Sequence, residues 1–449
     1  MIGNARRYIS GTSLGPTLIK AVTGSAGLRI AGMGFGFLVG VQLARGLGAE
    51  GYGIYGVAMS IIALLTVPTE FGLPQLLTRE VASAQVRQDW GRMRGILRWS
   101  SRVSLLLSLV IGVGVVAWLL LTGRGLGSPL GMTLLAGVAM IPVVAQLSMR
   151  AAALRGLQQI VRGQLPDVLL RPMFYSLLLF VVPLWVMPLT PALAMALGVA
   201  SAAIALMLAL HMLRKALPGE ARAADAIVDA RSWWSSALPM ALTEGMRLLQ
   251  GHVLILLLGT MVVMADVGIY RMASSMMLLI AMPISLFNIV SMPVIARLYS
   301  SGDANNLQRL LGMAAAGMTL GAVVLSVPFF IAGGRILGEV FGPEFVAGNP
   351  PLLILLLSVM VNAIFGTAGN LLNMTGHQAD VTRASLVSLL CLTATAVPLV
   401  HYLGIQGAAI AHLVSTIIWN LYMWLVAKAR LSLDSSLLSF FVARRADRA

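Results

Sequence analysis

Five ionisable residues of this 449-residue chain lie inside long apolar stretches, where a charge is costly. An ionised side chain near the centre of a bilayer costs about 2.5 to 3.5 kcal/mol even on insertion scales. We therefore expect the arginines to line a water-filled cavity and the glutamates to act as counter-ions or protonation sites. Guanidinium groups bind phosphate in a bidentate manner, which favours a phosphate-bearing substrate. The five residues are Arg29, Glu70, Glu244, Arg247 and Arg271.

The same residues also allow structural interpretations. Glu244 and Arg247 are about one helical turn apart and can form an ion pair. Arg271 is close in sequence to Asp266 and can pair with it. Arg29 lies near the start of its apolar stretch, so its long side chain can extend to the lipid headgroups. The sequence leaves these alternatives open.

Two further groups lie where apolar stretches meet the membrane surface. Arg171 follows Asp167, and we expect it to contact a lipid headgroup just inside the cytoplasmic face. The segment 87–102 carries several arginines together with Trp90 and Trp99, which predicts an interfacial anchor on the anionic inner leaflet. A funnel that gathers an anionic substrate is the alternative for this segment.

Twelve apolar stretches position these residues and account for almost the whole chain. A helix crosses a bilayer in about 20 residues, and 58% of this chain is hydrophobic and 10% charged, with a mean hydropathy of +0.90. The stretches are continuous and lack the alternation of barrel strands, so they predict an all-α polytopic membrane protein. The predicted spans are 21–45, 52–78, 96–121, 129–152, 165–187, 191–213, 233–261, 267–295, 308–332, 350–373, 383–402 and 405–427.

The basic residues that give the chain its net charge of +15 lie mostly on one predicted side of the membrane. If the N-terminus is cytoplasmic, most of the 31 Lys and Arg residues fall on the cytoplasmic side, and Arg45, Arg124 and Arg335 fall on the other side. This bias follows the positive-inside rule. It predicts an even number of spans with both termini in the cytoplasm, and we expect no nucleic-acid partner.

The longest polar stretch between spans divides the chain into two sets of six spans. We predict an N-lobe at 1–213, a cytoplasmic linker at 214–231, a C-lobe at 232–430 and a basic cytoplasmic tail at 431–449. Each lobe then holds six helices.

Two short repeats relate the predicted lobes. Gly53-Ile54-Tyr55 matches Gly268-Ile269-Tyr270, and Gly27-Leu28-Arg29 matches Gly245-Met246-Arg247. Halves related by an axis along the membrane normal are a common transporter plan, with the substrate site where the repeats meet. The repeats therefore predict a transport cavity between the lobes.

The chain lacks the motifs of several enzyme classes. It contains no G-x-x-x-x-G-K-[ST], no H-E-x-x-H, no cluster of His and Cys, and no paired D-x-D. The segment 46–51 fits G-x-G-x-x-G, but it follows a membrane span instead of a strand and is predicted to be a turn. We expect no enzyme activity, no catalytic residue, no metal site and no cofactor.

Four segments resemble one known family. They are 43–55 (LARGLGAEGYGIY), 268–270 (GIY), 341–345 (FGPEF) and 404–411 (GIQGAAIA). In this order, and with twelve spans, the chain resembles the bacterial polysaccharide flippases, the Wzx-type branch of the multidrug/oligosaccharidyl-lipid/polysaccharide (MOP) exporter superfamily.

The resemblance implies an inner-membrane protein that moves undecaprenyl-diphosphate-linked oligosaccharide repeat units, such as those of O-antigen, from the cytoplasmic to the periplasmic leaflet. Two six-helix lobes would rock around a central cavity. Membrane lipids, a polysaccharide polymerase and the chain-length machinery are the further partners that the resemblance suggests.

The related lipid II flippases carry cavity arginines in their first, second and eighth helices. Arg29 and Arg271 match the first and last of these by helix. The second span of this chain has Glu70 and no interior arginine, and the chain lacks the two extra helices of that branch. These departures argue against lipid II as the cargo.

Two other classes of function remain as alternatives. A drug or cation antiporter of the same superfamily would favour acidic cavity residues, and the predicted arginines argue against it. A membrane scaffold that transports nothing has no evident reason to keep unpaired arginines inside its spans.

Overall fold

The computed structural model describes residues 14–123, 127–185 and 188–440. Within these ranges the chain forms helices joined by turns, and no residue lies in a β-strand. The predicted all-α membrane architecture is confirmed. Arg124 and residues 441–449 of the predicted tail lie outside the described residues.

The helices follow one another with short connections. A π-helical turn (Leu165–Leu170) separates the sixth and seventh helices, and a 3-10 turn (Pro343–Gly348) precedes the fourteenth. The helices are α1 (Leu14–Glu70), α2 (Leu73–Arg87), α3 (Trp90–Leu121), α4 (Pro129–Val138), α5 (Met140–Gly156), α6 (Ile160–Gln164), α7 (Arg171–Trp185), α8 (Pro191–Ala216), α9 (Gly219–Ala223), α10 (Ala230–Met261), α11 (Met264–Ile280), α12 (Met282–Ser300), α13 (Ala304–Val340), α14 (Asn349–Phe365), α15 (Ala368–Met374) and α16 (Gln378–Leu431).

Nine helical segments of the described residues are long and apolar enough to cross a bilayer. Two helices exceed one crossing, since α1 has 57 residues and α16 has 54. At 1.5 Å per residue each would extend about 80 Å, against about 30 Å for the hydrocarbon core. Each contains a glycine with non-helical angles, Gly48 (φ 66°) and Gly404 (φ 57°), which lies between two predicted spans. Each long helix thus accommodates two predicted spans, and the total of twelve stays a prediction.

Some helix boundaries differ from the prediction. The fifth predicted span begins at 165, whereas the helical region begins at Ile160 and continues through the π-helical turn. Pro166 lies in this turn and cannot donate a backbone hydrogen bond, which favours an irregular ladder. The eighth predicted span is two helices, α11 and α12, because Pro283 at the start of α12 interrupts the ladder beside Ala281.

One turn occurs at equivalent places in the two parts of the chain. Gln88 and Gly302 have left-handed backbone angles (φ 56° and 72°). The next residues, Asp89 and Asp303, cap the following helix with their side chains. The backbone N–H of each aspartate donates to the carbonyl oxygen five residues earlier, at 2.9 and 3.1 Å.

The same turn occurs a second time in each half. Gln158 and Gly376 have φ of 61° and 85°, and the N–H groups of the residues that follow them donate to carbonyl oxygens five residues earlier, at 3.0 and 2.9 Å. Corresponding turns are 214 and 218 positions apart in the sequence. The two halves of the chain therefore share one order of helices and turns.

The two Gly-Ile-Tyr repeats meet where α1 contacts α11. A Cβ on Gly53 would overlap the carbonyl oxygen of Met264, and a Cβ on Gly268 would overlap that of Ala49. Glycine at both positions lets the two backbones touch, as small residues do at close helix crossings in membranes.

The stretch predicted as a linker is packed against the first half. It contains the short helix α9, and the N–H of Ile227 donates to the carbonyl oxygen of Gly91 at 3.0 Å. Arg94 of α3 donates to the carbonyl oxygen of Ala224. These contacts attach the stretch to α3, and the division into lobes at 214–231 stays a prediction.

The start of the predicted tail packs against the second half. The side-chain amide of Gln308 donates to the carbonyl oxygen of Asp434 at 2.6 Å and accepts from its N–H at 2.9 Å. The indole N–H of Trp424 donates to the Asp434 carboxylate at 2.8 Å. The described part of the tail is therefore held against α13 and α16.

Candidate functional site

A cavity of about 280 Å³ lies where α1 ends, between helices of the first half and α10. Apolar side chains of α1 and α5 form much of its wall. The charged lining residues are Glu70, Arg171, Glu244 and Arg247. Four of the six predicted site residues are therefore brought together, whereas Arg29 and Arg271 do not line this cavity.

The backbone turns sharply where α1 ends beside the cavity. Pro68 lies in the last turn of α1, and the two residues that connect α1 to α2, Phe71 and Gly72, have φ of 41° and 68°. A Cβ on Gly72 would lie 2.6 Å from the carbonyl oxygen of Ala237, so glycine here lets α10 pack directly on this turn. The rings of Phe71 and Trp234 pack edge to face with centroids 5.1 Å apart. The last residue of α1 is thus held at the junction with α10.

Two ion pairs account for the arginines of the cavity. Arg171 donates to the Asp167 carboxylate at 3.2 Å across one helical turn. Arg247 donates to Glu244 through two nitrogens, with an Nε–Oε2 distance of 3.2 Å. Both pairs are partly exposed, and such pairs contribute little to stability. An anion that entered the cavity could therefore take the place of the carboxylates.

Glu70 differs from Asp167 and Glu244 because no arginine of the described residues lies within ion-pair distance of its carboxyl group. Ser148, Arg171 and Glu244 line the cavity with it, and the carboxyl group of Asp167 is a further charged neighbour. The cavity therefore balances acidic against basic groups, whereas the sequence predicted an excess of arginine. Of the two glutamates that line the cavity, Glu244 forms an ion pair with Arg247, and Glu70 forms none within the described residues.

Arg271 lies in an aromatic setting, beside the contact between α1 and α11. Its guanidinium carbon is 5.2 Å from the ring centroid of Tyr52 and 5.1 Å from that of Tyr55. Its Nε is buried and has no hydrogen-bond partner among the described residues. No ion pair joins it to Asp266 in the described chain. The stacking against two rings is a cation–π arrangement.

Arg29 is exposed on α1, and within the described residues its side chain has no hydrogen-bond partner. The neighbouring face of α1 packs against the π-helical turn, because a Cβ on Gly32 would overlap the carbonyl oxygen of Val168. Both interpretations of Arg29, substrate contact and headgroup contact, stay predictions.

The two halves are joined at the end of the molecule that is predicted to be extracytoplasmic. The N–H of Ala49 donates to Glu344 Oε2 at 2.8 Å, and Arg45 Nε donates to the carbonyl oxygen of Val340 at 2.8 Å. Aromatic rings from both sides pack edge to face around these bonds. Two of the four segments that carry the family resemblance, 43–55 and 341–345, therefore contact each other directly.

A second cavity, of about 250 Å³, lies within the second half between α10, α11, α14 and α16. Its polar lining is neutral, and no Asp, Glu, Lys or Arg is among its described lining residues. The hydroxyls of Ser388 and Ser415 are 2.8 Å apart. The other polar lining residues are Gln250, Ser358, Asn362, His412, Thr416 and Trp419.

The sequence pointed to Asp167 and Arg171 without predicting that they pair, although their spacing of four residues is typical of a pair on one helical face. Ser148 and His412 gave no such signal, because a single polar residue in an apolar helix commonly bonds within its own helix.

Comparison with known proteins adds family evidence. The family model described as polysaccharide biosynthesis protein matches residues 18–299. Stage V sporulation protein B of Bacillus subtilis (strain 168) is 39% identical over 75 residues, which cover 17% of this chain and 14% of that protein. The match thus spans about a seventh of that relative.

Solved structures share the fold. An inward-facing multidrug resistance MATE family transporter of the MOP superfamily has a TM-score of 0.70 at 14% identity, covering 91% of this chain and 98% of that one. A MOP superfamily transporter from Pyrococcus furiosus, whose binding pocket is described as reversed in polarity, has a TM-score of 0.63 at 13% identity over 92% and 96% of the chains. At these identities the likeness shows the fold.

Proposed function

The chain belongs to the polysaccharide biosynthesis protein family, and from this premise we propose that it translocates undecaprenyl-diphosphate-linked oligosaccharide repeat units across the bacterial inner membrane for surface polysaccharide biosynthesis. In broader terms it is a multi-pass membrane protein with the MOP transporter fold and a flippase or transporter role. The solved neighbours are transporters, in keeping with the expectation that the chain is not an enzyme.

The observation that carries the proposal is the cavity at the end of α1 that two arginines and two glutamates line. A diphosphate that enters a bilayer must have its charge neutralised, and guanidinium groups do this without a change of protonation. Arg171 and Arg247 line the cavity and are paired with carboxylates in partly exposed geometry. We expect the diphosphate to replace those carboxylates, and Arg29 to contact the cargo as it enters.

The path of the cargo follows from the two ends of the interface between the halves. The backbones of Gly53 and Gly268 touch at one end, while the cavity at Glu70 lies 17 residues along α1, about 26 Å away. With cytoplasmic termini, this arrangement loads cargo from the cytoplasmic side. Release on the other side requires the glycine contact to open, and Arg271, which stacks beside that contact, would then be exposed to the diphosphate.

Glu70 and Glu244 differ as candidates for coupling to a proton or a cation. Glu244 already has an arginine partner, whereas Glu70 has none among the described residues. We assign the coupling role to Glu70. Such a role uses the change of charge of one carboxyl group to favour one state of the cavity over the other.

The test is the amount and the leaflet of undecaprenyl-diphosphate-linked oligosaccharide in cells that lack this gene. Plasmid copies would supply the wild type, Arg29→Ala, Arg247→Gln, or Arg335→Gln as a control. Arg335 is exposed at the opposite end of the molecule and pairs with Glu339. We expect lipid-linked units to remain on the cytoplasmic leaflet, with surface glycan lost, except with the wild-type and control copies.

Two results would contradict the proposal. Normal surface glycan with a folded Arg247→Gln protein would remove the cavity from the transport path. Unchanged glycan export in the deletion strain, together with raised drug sensitivity, would favour the antiporter of the same superfamily.

A further inference from the structure

Three arginines of the first half line one surface pocket. A pocket of about 350 Å³ between α3, α5 and the end of α8 has Arg98, Arg102 and Arg150 as its charged lining. None of the three has an ion-pair partner among the described residues. Arg150 donates to the Ser101 hydroxyl at 2.7 Å and to Gln146 Oε1 at 3.0 Å. These neutral partners fix its guanidinium without neutralising it, so the pocket is strongly cationic.

An apolar groove of about 560 Å³ lies on the same two faces, between α3 and the helices α4 and α5. Leu109, Val113 and Leu120 on α3 and Leu135 on α4 line it and are exposed. Ser108 is the only hydroxyl residue among the groove's described lining, and it bonds to the carbonyl oxygen of Ser104 within its own helix. The groove thus offers an apolar surface to whatever lies beside the protein.

The pocket and the groove lie along the same face of α3, and we call the two together the track. On α3, the lining residues recur at helical spacing along one face, and Arg102 is seven residues from Leu109, about 10 Å. On the opposite wall Arg150 is eight residues from Pro142, about 12 Å. The groove continues for about 18 Å from Ser108 to Leu120, so the track from Arg102 to Leu120 is about 27 Å long, against about 30 Å for the hydrocarbon core. The track therefore offers apolar surface to an acyl chain that extends from a phosphate in the pocket.

We propose that this track binds one acidic glycerophospholipid of the leaflet at the arginine end, with its phosphate in the pocket and an acyl chain in the groove. Unneutralised guanidinium groups select an anionic phosphate, and basic pockets between membrane helices on the cytoplasmic side bind acidic headgroups. A free phosphate would leave the adjoining groove without an occupant. A zwitterionic lipid would bring an ammonium group towards three arginines.

The track is separate from the cavity beside Glu70, although residues of α5 line both. Ser148, on α5, lines the cavity, and Arg150 lines the pocket. Residues that are two positions apart in a helix point in directions about 200° apart around its axis. The bound lipid therefore lies on the far side of α5 from Glu70, so the site is a lipid site in addition to the transport path.

Native mass spectrometry of the purified full-length protein tests the proposal, with phosphatidylglycerol or phosphatidylcholine supplied in mixed micelles. The variant Arg98→Gln, Arg102→Gln, Arg150→Gln removes the charges of the pocket. A matched control, Arg87→Gln, Arg162→Gln, Arg297→Gln, removes three exposed arginines from elsewhere on the same predicted side. Ala117→Trp fills the exposed groove and leaves the pocket unchanged.

We expect the wild type and the control to retain one phosphatidylglycerol in preference to phosphatidylcholine. The pocket variant should lose this retention by about tenfold or more, because it removes the charge-assisted hydrogen bonds that hold the phosphate. Ala117→Trp should also weaken retention of phosphatidylglycerol but not the binding of inorganic phosphate.

Two results would overturn the proposal. Equal loss in the pocket variant and the control would show a general effect of charge. Inorganic phosphate that binds the wild type while Ala117→Trp retains phosphatidylglycerol normally would show a phosphate site without an acyl-chain groove. Ala117 is exposed, so this second variant keeps the test valid if the pocket variant fails to fold.

Discussion

The two halves of the chain share a scaffold, but the cavity between them is lined by charged residues, whereas the described lining of the cavity within the second half carries none. Each half repeats the left-handed turn twice at matching places, and each contributes one glycine to the contact between α1 and α11. The cavity beside Glu70 carries four charged side chains, whereas the cavity beside Ser388 is polar but neutral. The repeated turns and the paired glycines serve folding and packing, and the charged cavity, to which both halves contribute, is where we locate the chemistry of transport.

The energetic cost of placing a charge in a membrane explains why the difference between the two cavities is informative. A charge within the bilayer is costly, so a duplicated chain is expected to keep it only where it is used. Neutral hydroxyl and amide groups bond to nearby backbone carbonyls at little cost, as Ser388 and Ser415 do across α16. The neutral cavity therefore needs no functional explanation, and the charged one does.

The largest effect should come from the contact that both halves build. Gly53→Ala and Gly268→Ala should each destabilise the protein by about 3 kcal/mol, because each new Cβ overlaps a backbone carbonyl oxygen that cannot move aside as a side chain could. Thermal unfolding of the purified protein in detergent measures this.

Gly34→Ala is the matched control, because nothing lies within 4 Å of its would-be Cβ. It should stabilise α1 slightly, by up to about 1 kcal/mol, because alanine favours a helix. If only one of the two contact variants were destabilised, the halves would not contribute equally to the contact.

The next largest effect should distinguish the charged cavity from the neutral one. Glu70→Gln keeps the shape of the side chain and should lower glycan export by about tenfold or more, equivalent to about 1.4 kcal/mol. His412→Gln, in the neutral cavity, should leave export nearly unchanged. Surface glycan and the stranded lipid-linked precursor would be quantified in the same strains.

Glu220→Gln, on the exposed helix α9, controls for the loss of one carboxylate. A strong export defect in His412→Gln, with Glu70→Gln normal, would reverse the assignment of the two cavities. Protein levels in the membrane fraction separate an export defect from a folding defect.

The sequence predicted the helices and one of the contacts well, for physical reasons. The continuous apolar runs gave the all-α fold, whereas the Gly-Ile-Tyr repeat indicated related halves without predicting that the two repeats contact each other. The pair Glu244 and Arg247 followed from their spacing. Each of these signals is local in sequence, so hydropathy or helical periodicity reveals it.

What the sequence did not reveal depends on contacts between distant segments. The repeated turn uses Gln88 in the first half and Gly302 in the second, so residue type hides the match although the backbone angles agree. Arg271 stacks on tyrosines about 215 positions earlier, and Arg171 lies in the cavity although a headgroup contact was the expectation. Only the packing of helices determines such neighbours.

A substitution of Arg271, which lies at the contact between the two halves, should have a smaller effect. Arg271→Lys keeps the charge but loses the planar group that stacks on Tyr52 and Tyr55, which should destabilise the contact between the halves by about 1 kcal/mol. Arg335→Lys, in an exposed ion pair, should be nearly neutral. Equal melting temperatures for Arg271→Lys and the wild type would show that the rings add nothing beyond charge.

The smallest effect concerns the turn that the halves share. Asp303 accepts hydrogen bonds from the backbone N–H of Asn306 at 3.1 Å and from its side-chain amide at 2.7 Å. These donors, the side-chain amide first, hold the pKa of Asp303 below its ordinary value. The ionised cap therefore stabilises the folded protein above the ordinary pKa of about 3.9. That stabilisation is lost as the pH falls through the lowered value in the folded state.

Asp303→Asn should remove this acid sensitivity while keeping most of the stability at neutral pH, because asparagine also caps helices well and does not titrate in this range. Unfolding in detergent between pH 3 and pH 7, with the wild type as reference, measures the difference. Asp89→Asn tests the equivalent turn, where the carboxylate accepts from the backbone N–H of Arg92 at 2.9 Å. An Asp303→Asn protein with the acid sensitivity of the wild type would show that the amide of Asn306 does not stabilise the charged cap, and the two turns would then be alike in chemistry as well as in backbone.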